Sequence, residues 1–208
     1  MNNPFMVAVS GGSGSGKTTF VNALADKLGT SSLLILSLDD YYRDLSHLKA
    51  EERSRVNFDD PKAIELELLK NQVETLRRGE SVSKPLYDFA THTRRAESQL
   101  VEPAGLIVLD GIFSLCYPEL YALLDLKIFI DVDPDIRVVR RIGRDMEQRG
   151  RSFAGSADQY LGSVKAMHAK YIEPSKHYAD FVIPWHRRNE PALQLLSKVI
   201  KLELSERR

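Results

Sequence analysis

The 208-residue chain predicts a three-layer α/β fold in which a five-stranded parallel sheet is covered by helices on both faces. Three observations predict it. Short, continuously apolar runs alternate with helix-length segments, the pattern of strands buried on both sides. A glycine-rich loop joins the first apolar run to the first helical segment. Acidic residues stand at the ends of later apolar runs, outside the carboxyl ends of strands, where ligands gather in open parallel sheets.

Residues 5–9 form the first apolar run and the first strand. Residues 17–28 follow as a helix, with Phe20, Val21, Leu24 and Leu28 at helical spacing and Gly29 as its stop. Residues 33–38 are a second buried strand. Pro61 suits a first helical turn, and residues 63–78 carry a leucine-rich stripe closed by Gly79. Residues 82–101 alternate loosely without a helical stripe and predict an extended, hairpin-like insert. Strands are expected at 106–109, 127–131 and 180–183, and helices at 134–149, 157–171 and 191–202. The length fits one domain, residues 1–208, with the insert at 82–101 and a lid at 149–158 hinged at Gly150.

Lysine and arginine balance aspartate and glutamate at 29 each, so the chain lacks the basic surplus of a general nucleic-acid or anionic-membrane binder. One cysteine, Cys116, excludes an intrachain disulfide and argues against a cysteine-based zinc site. No basic leader and no long apolar span is present, so the cytoplasm is the expected compartment.

Gly11-Gly12-Ser13-Gly14-Ser15-Gly16-Lys17-Thr18 matches the phosphate-binding pattern G-x-x-x-x-G-K-[ST], between a strand and a helix. The glycines let backbone N–H groups curl around phosphate oxygens at the helix N-terminus. Lys17 is placed to reach the β- and γ-phosphates of a nucleoside triphosphate, and the Thr18 hydroxyl to bind Mg²⁺. Asp39, next to the second strand, is a candidate base for an attacking hydroxyl or a metal neighbour; Asp39 and Asp40 also read as turn residues. Asp110 ends the strand 106–109 in the Walker B manner and is a candidate metal ligand. The N-K-x-D base-recognition motif of GTPase switches is absent.

The helix opened by Asp133-Pro134-Asp135 sets Arg137, Arg140, Arg141 and Arg144 on one face, opposite Val138, Val139, Ile142 and Met146. Arg149 and Arg151 follow. Clustered cations beside a triphosphate supply what phosphoryl transfer needs, and the same residues also read as a solvated face with Arg141 paired to Asp145. Asn57-Phe58-Asp59-Asp60-Pro61 and the stretch from Pro85 to Arg94 offer aromatic faces, a carboxylate and a histidine. These suit a flat base and vicinal ribose hydroxyls. Equally, Tyr87 and Phe89 read as core and Asp59 as a helix N-cap.

Taken together, the segments at 10–19, 39–42 and 57–61, Tyr87-Asp88-Phe89 with His92-Thr93-Arg94, 131–151, Gln159-Tyr160 and 172–180 resemble the uridine kinase (uridine–cytidine kinase) family over residues 5–184. The resemblance implies transfer of a phosphoryl group from ATP or GTP with Mg²⁺ to the 5′-hydroxyl of uridine or cytidine, in pyrimidine salvage. It implies Asp39 as base and metal neighbour, with Lys17 and Arg144 also catalytic. It makes Asp59 the ribose ligand and Phe58, Tyr87, Phe89 and His92 the base pocket, with Arg141 and Gln159 as further nucleoside contacts. Gly11 to Thr19 (including Ser13, Ser15 and Thr19), Arg144, Arg149 and Arg151 would hold the triphosphate. Thr18, Asp39 and Asp110 would hold the metal. A homotetramer is also implied, with no nucleic-acid or membrane partner. Two departures stand out. Asp110 replaces the family's usual glutamate and is one methylene shorter, leaving room for a water before the metal. Trp185-His186-Arg187-Arg188 replaces the usual glycines after Ile183-Pro184. A related kinase acting on a sugar phosphate or pantothenate is the competing reading, and would want extra basic residues such as Arg94 and Arg95 near the insert.

Overall fold

The computed structural model describes residues 3–29, 33–53 and 55–207. Five parallel strands form the central sheet: β1 (Phe5–Gly11), β2 (Leu33–Ser37), then, after a hairpin of β3 (Val82–Asp88) and β4 (Thr93–Val101), β5 (Leu106–Asp110), β6 (Leu126–Asp131) and β7 (Phe181–Pro184). Their order is β2-β5-β1-β6-β7. The chain leaves β1 toward one edge of the sheet and later returns to fill the other. The end of β1 is therefore flanked by β5 and β6, at the switch point where α/β sheets bind ligands.

The apolar runs are continuous because both faces of the sheet are covered. Met6 and Ala8 point into one core, with Leu36, Ile107, Leu109 and helix α2 (Leu66–Arg77). Phe5, Val7 and Val9 point into the other. There they meet Phe20 and Leu24 of α1 (Lys17–Leu28) and Leu193, Leu196 and Ile200 of the C-terminal helix Glu190–Glu206. The predicted architecture is thus borne out, with small shifts. Residues Pro61–Ala63 form a separate 3₁₀ turn, so α2 starts at Leu66 rather than at residue 63.

The arginine-bearing helix is α3 (Pro134–Arg149). The next helix was expected at 157–171. It begins at Phe153, where the Ser152 hydroxyl accepts from Gly155 N, and runs on through residue 175 with π-turns at Tyr160–Val164 and His168–Ile172. We call residues 153–175 α4 and Glu190–Glu206 α5. Most of the 149–158 segment expected as a lid is helical, and Gly150 (φ +63°) turns the chain between α3 and α4.

The β3–β4 hairpin stands apart from the main sheet. Two strands alone are marginal in water. Side chains tie this pair down: Lys84 to Asp40, Gln72 Nε2 to the Ser83 carbonyl (2.8 Å), Arg94 Nε to the Tyr42 carbonyl (2.9 Å), and Arg94 to Glu65 (2.6 Å). The hairpin is thereby fixed over the carboxyl end of β2.

Candidate active site

The loop after β1 folds as its motif requires. Gly16 sits at φ +84°, a left-handed position that favours glycine, and caps α1. A Cβ on Gly12 would run into the guanidinium of Arg137. That guanidinium is itself held by the Val132 carbonyl (2.9 Å) and lies 3.0 Å from His168 Nε2. Lys17 Nζ donates to the carbonyls of Gly11 (3.0 Å) and Gly12 (3.1 Å). Desolvation lowers its pKa to about 8, against the opposing pull of Asp110 and Asp39.

Thr18 Oγ1 donates to Asp110 Oδ2 at 2.9 Å, while Asp110 Oδ1 is buried without a hydrogen-bond partner. An orphaned buried carboxylate oxygen beside the phosphate loop suits a bound cation. Among the described residues no three His, Cys, Asp or Glu side chains converge into a self-sufficient metal site. Two aspartates, a threonine and phosphate oxygens are the donor set Mg²⁺ commonly takes, so the residues present fit it.

Asp39 lies in the 3₁₀ turn Leu38–Tyr41 directly after β2. The turn is capped by Ser37, whose hydroxyl accepts from Asp39 N at 3.3 Å. The Asp39 carboxylate is therefore not consumed as a cap. Desolvation raises its pKa; Lys17 opposes this and Asp110 adds to it. Asp40 points away and pairs with Lys84, a structural role.

Helix α3 inverts the usual amphipathic arrangement. Arg137 and Arg141 are each 5% exposed and Asp145 is fully buried, whereas Val139 is 71% exposed. Of the four arginines placed on one face, Arg141 and Arg144 line the cavity, while Arg137 lies behind Gly12. Arg140 does not line the cavity; it donates to the backbone carbonyls of Trp185 and His186. Arg141 Nη1 donates to Ser13 Oγ (2.8 Å) and Nη2 to Gln159 Oε1 (2.9 Å), and Arg151 also bonds that oxygen.

At the other end, Asp59 Oδ2 accepts from Ser163 Oγ at 2.9 Å. The N-cap role open to Asp59 falls instead to Asp60, which accepts from Lys62 N. The rings of Tyr42, Phe58, Tyr87, Phe89 and His92 form one cluster, with Phe58 stacked on His92 at 4.5 Å between centroids. His92 adopts φ +56°, a strained backbone of the kind that gathers at functional sites. Tyr87 Oη and His92 Nδ1 are buried without partners. Tyr87 is both core and pocket wall: it is 6% exposed, packs with the core of one sheet face, and lines the cavity.

These parts surround one cavity of about 540 Å³, lined from Ser13, Lys17 and Thr18 at one end to Phe58, Tyr87 and His92 at the other, with Asp39 between them. The model of the phosphoribulokinase / uridine kinase family matches residues 6–192. The chain belongs to this family. It is 45% identical over 206 residues to a uridine kinase of Ligilactobacillus salivarius, covering 99% of this chain and 97% of that one. A uridine kinase of Alkaliphilus metalliredigens is 41% identical over 207 residues, covering 100% of each. In fold the chain is similar to a D-glycerate 3-kinase of Cryptococcus neoformans at a TM-score of 0.63 and 16% identity, covering 84% of this chain and 81% of that one.

Within this member of the phosphoribulokinase / uridine kinase family, the cavity walls collect Ser13, Lys17, Thr18, Asp39, Phe58, Asp59, Tyr87, Phe89, His92, Asp110, Arg141, Arg144, Arg149, Arg151 and Gln159. The loop glycines and Ser15 lie behind them, and the side chain of Thr19 is exposed and outside the cavity lining. Four residues take roles that the sequence does not assign them, Tyr42 standing there only within the 39–42 segment and Asp145 only as an i, i+4 partner of Arg141. Tyr42 joins the aromatic cluster, Ser163 holds Asp59, His168 backs Arg137, and Asp145 sits among the arginines. Trp185 acquires a place as well. Its ring packs edge-on against Phe20 at 5.2 Å and closes the space behind Gly16.

Proposed function

We propose that this chain is a nucleoside kinase that passes the γ-phosphoryl group of ATP or GTP to the 5′-hydroxyl of uridine or cytidine. The observation that carries the reading is the cavity itself. Asp39 stands between a phosphate loop and an aromatic pocket that buries two unpartnered polar atoms, Tyr87 Oη and His92 Nδ1. Buried polar atoms without partners are costly unless something fills them, and a pyrimidine edge offers both donors and acceptors.

The chemistry follows from position. Lys17 with Arg144, Arg149 and Arg151 neutralises phosphate charge, and the loop N–H groups hold the donor. Asp59, steadied by Ser163, orients the acceptor through its ribose hydroxyls. Asp39, with its pKa raised, accepts the proton of the attacking hydroxyl. Thr18, Asp39 and Asp110 would hold Mg²⁺, which supplies charge neutralisation between phosphate oxygens when bound. Arg149 lies over the Phe89 ring at 5.5 Å, so the 149–158 segment links the donor and acceptor halves and suits a lid.

The two arginines that a sugar-phosphate acceptor would call on near the insert do not supply it. Arg94 is engaged with Glu65 and the Tyr42 carbonyl, and Arg95 is exposed outside the cavity lining. Among the described residues no helix is long and apolar enough to cross a membrane. Family resemblance adds a cytoplasmic homotetramer acting in pyrimidine salvage. The test is ADP release from Mg-ATP with uridine, cytidine, adenosine, thymidine, pantothenate and ribulose 5-phosphate. Turnover confined to uridine and cytidine is expected; turnover with another acceptor alone would replace the nucleoside assignment.

A further inference from the structure

Asp145 is fully buried near the end of α3, and four guanidinium groups surround its carboxylate. Arg144 approaches Oδ1 at 2.9 Å, Arg149 approaches it at 3.5 Å, and Arg141 and Arg151 approach Oδ2 at 3.6 and 3.8 Å. Among the described residues only Arg144 makes hydrogen bonds to it, and Oδ2 accepts none. Their other hydrogen-bond and ring partners are neutral, the Ser13 hydroxyl, the Gln159 amide oxygen and the Phe89 ring, while Asp59 also acts on Arg141 and Asp39 on Arg149 through charge alone. Asp145 is thus the carboxylate in ion-pair range of all four cations, three of them held to it by charge rather than by directed bonds.

That stoichiometry is peculiar for a structural ion pair. Burying a charge is favourable only when its partners are well bonded, and here three of four contacts are long. It suits a different task. Four guanidinium groups converging on one point repel each other, as the lowering of the Arg149 pKa by Arg144, after desolvation, reflects. A single buried anion behind them offsets the repulsion without saturating their donors.

We propose that Asp145 is a positioning residue: it keeps Arg141, Arg144, Arg149 and Arg151 converged on the phosphate site and releases their donors to the triphosphate as it binds. The long contacts are what such a handover requires, because a triphosphate carries more charge and can draw guanidinium groups from a carboxylate that bonds them loosely. Preorganised donors need not reorganise during transfer, so the benefit falls on the transition state. The inference rests on the arginines being donor-phosphate ligands.

Asp145→Asn removes the charge and leaves the volume. The expected result is a fall in kcat of about 10- to 100-fold with the KM for Mg-ATP within about threefold of wild type. The second readout is thermal melting with and without inorganic tripolyphosphate. An added polyanion replaces the missing charge, so tripolyphosphate should raise the melting temperature of D145N more than that of wild type. Equal rises in both proteins, or an unchanged kcat, would overturn the proposal. So would a D145N that stays unfolded even with saturating tripolyphosphate, since the carboxylate would then serve the fold alone. A wild type that shows no rise at all would instead remove the phosphate role of the arginines, and this inference with it.

Discussion

The two ends of the cavity are built by different means. At the donor end one contiguous stretch, Gly11 to Thr18, does most of the work with its backbone, and a strand behind it and a helix after it hold it in place. At the acceptor end no single stretch suffices. Tyr42, Phe58 with Asp59, the hairpin residues Tyr87, Phe89 and His92, and Ser163 of α4 come from four parts of the chain. On the proposed function, the donor end would bind through groups every residue carries, whereas the acceptor end would bind through particular side chains. Side-chain substitutions should therefore separate catalysis, acceptor affinity and donor affinity.

Asp39 sits where the two ends meet, so its loss should be the largest effect. Asp39→Asn keeps the shape but removes proton acceptance and a negative charge near the metal site. We expect kcat to fall by about 10²- to 10⁴-fold, with Mg-ATP affinity by titration calorimetry changed only a few-fold. Because the Asp39 pKa is raised and the base acts deprotonated, the wild-type rate should climb with pH through a limb lying above the ordinary carboxylate range. Near-normal turnover in the variant would take Asp39 out of the chemistry.

Asp59 sharpens the comparison because it belongs to one end only. A carboxylate bonded to hydroxyls contributes about 1.5–3 kcal/mol more than water does, so Asp59→Asn should raise the KM for uridine about 10- to 100-fold. The KM for Mg-ATP should stay within twofold. Steady-state kinetics with each substrate varied in turn would read both, and equal rises would mean that the two ends are not independent.

Lys17 makes the reverse test. Its pKa of about 8 means that the free enzyme loses this cation as pH rises through that value. Activity at low Mg-ATP should fall about tenfold for each pH unit above it. At saturating Mg-ATP the bound phosphates favour the ammonium form, so the alkaline limb should move upward. A limb at the same pH under both conditions would assign the titration to another group.

The same contrast explains what was legible in the sequence. The sheet and the phosphate loop could be read because their determinants are local: an apolar run, a glycine pattern, a strand-end acid. Asp145 could not. Beside Arg141 it looks like any i, i+4 surface pair, and only the fold reveals that the helix buries its charged face and that Arg149 and Arg151 turn back around it. Ser163 and His168 were hidden by the π-turns of α4, which break the 3.6-residue period on which a helical-face argument depends. Asp59 read equally as a helix cap until the structure gave the cap to Asp60 and turned Asp59 toward Ser163.

Tyr87 offers the smallest effect and the finest distinction, since it serves both the core and the pocket. Its hydroxyl is buried without a partner, and desolvation lifts its pKa to about 12, so it stays a neutral donor. A group that bonds nothing in the folded protein costs stability, whereas one that bonds a ligand contributes about 1 kcal/mol to binding. Tyr87→Phe keeps the ring that packs against Tyr42 and Phe89 and deletes only that hydroxyl. The melting temperature should hold or rise slightly, while the KM for uridine rises about fivefold. Core and pocket roles predict opposite patterns here: a lower melting temperature with an unchanged KM would return Tyr87 to the core and leave His92 as the polar contact to the base.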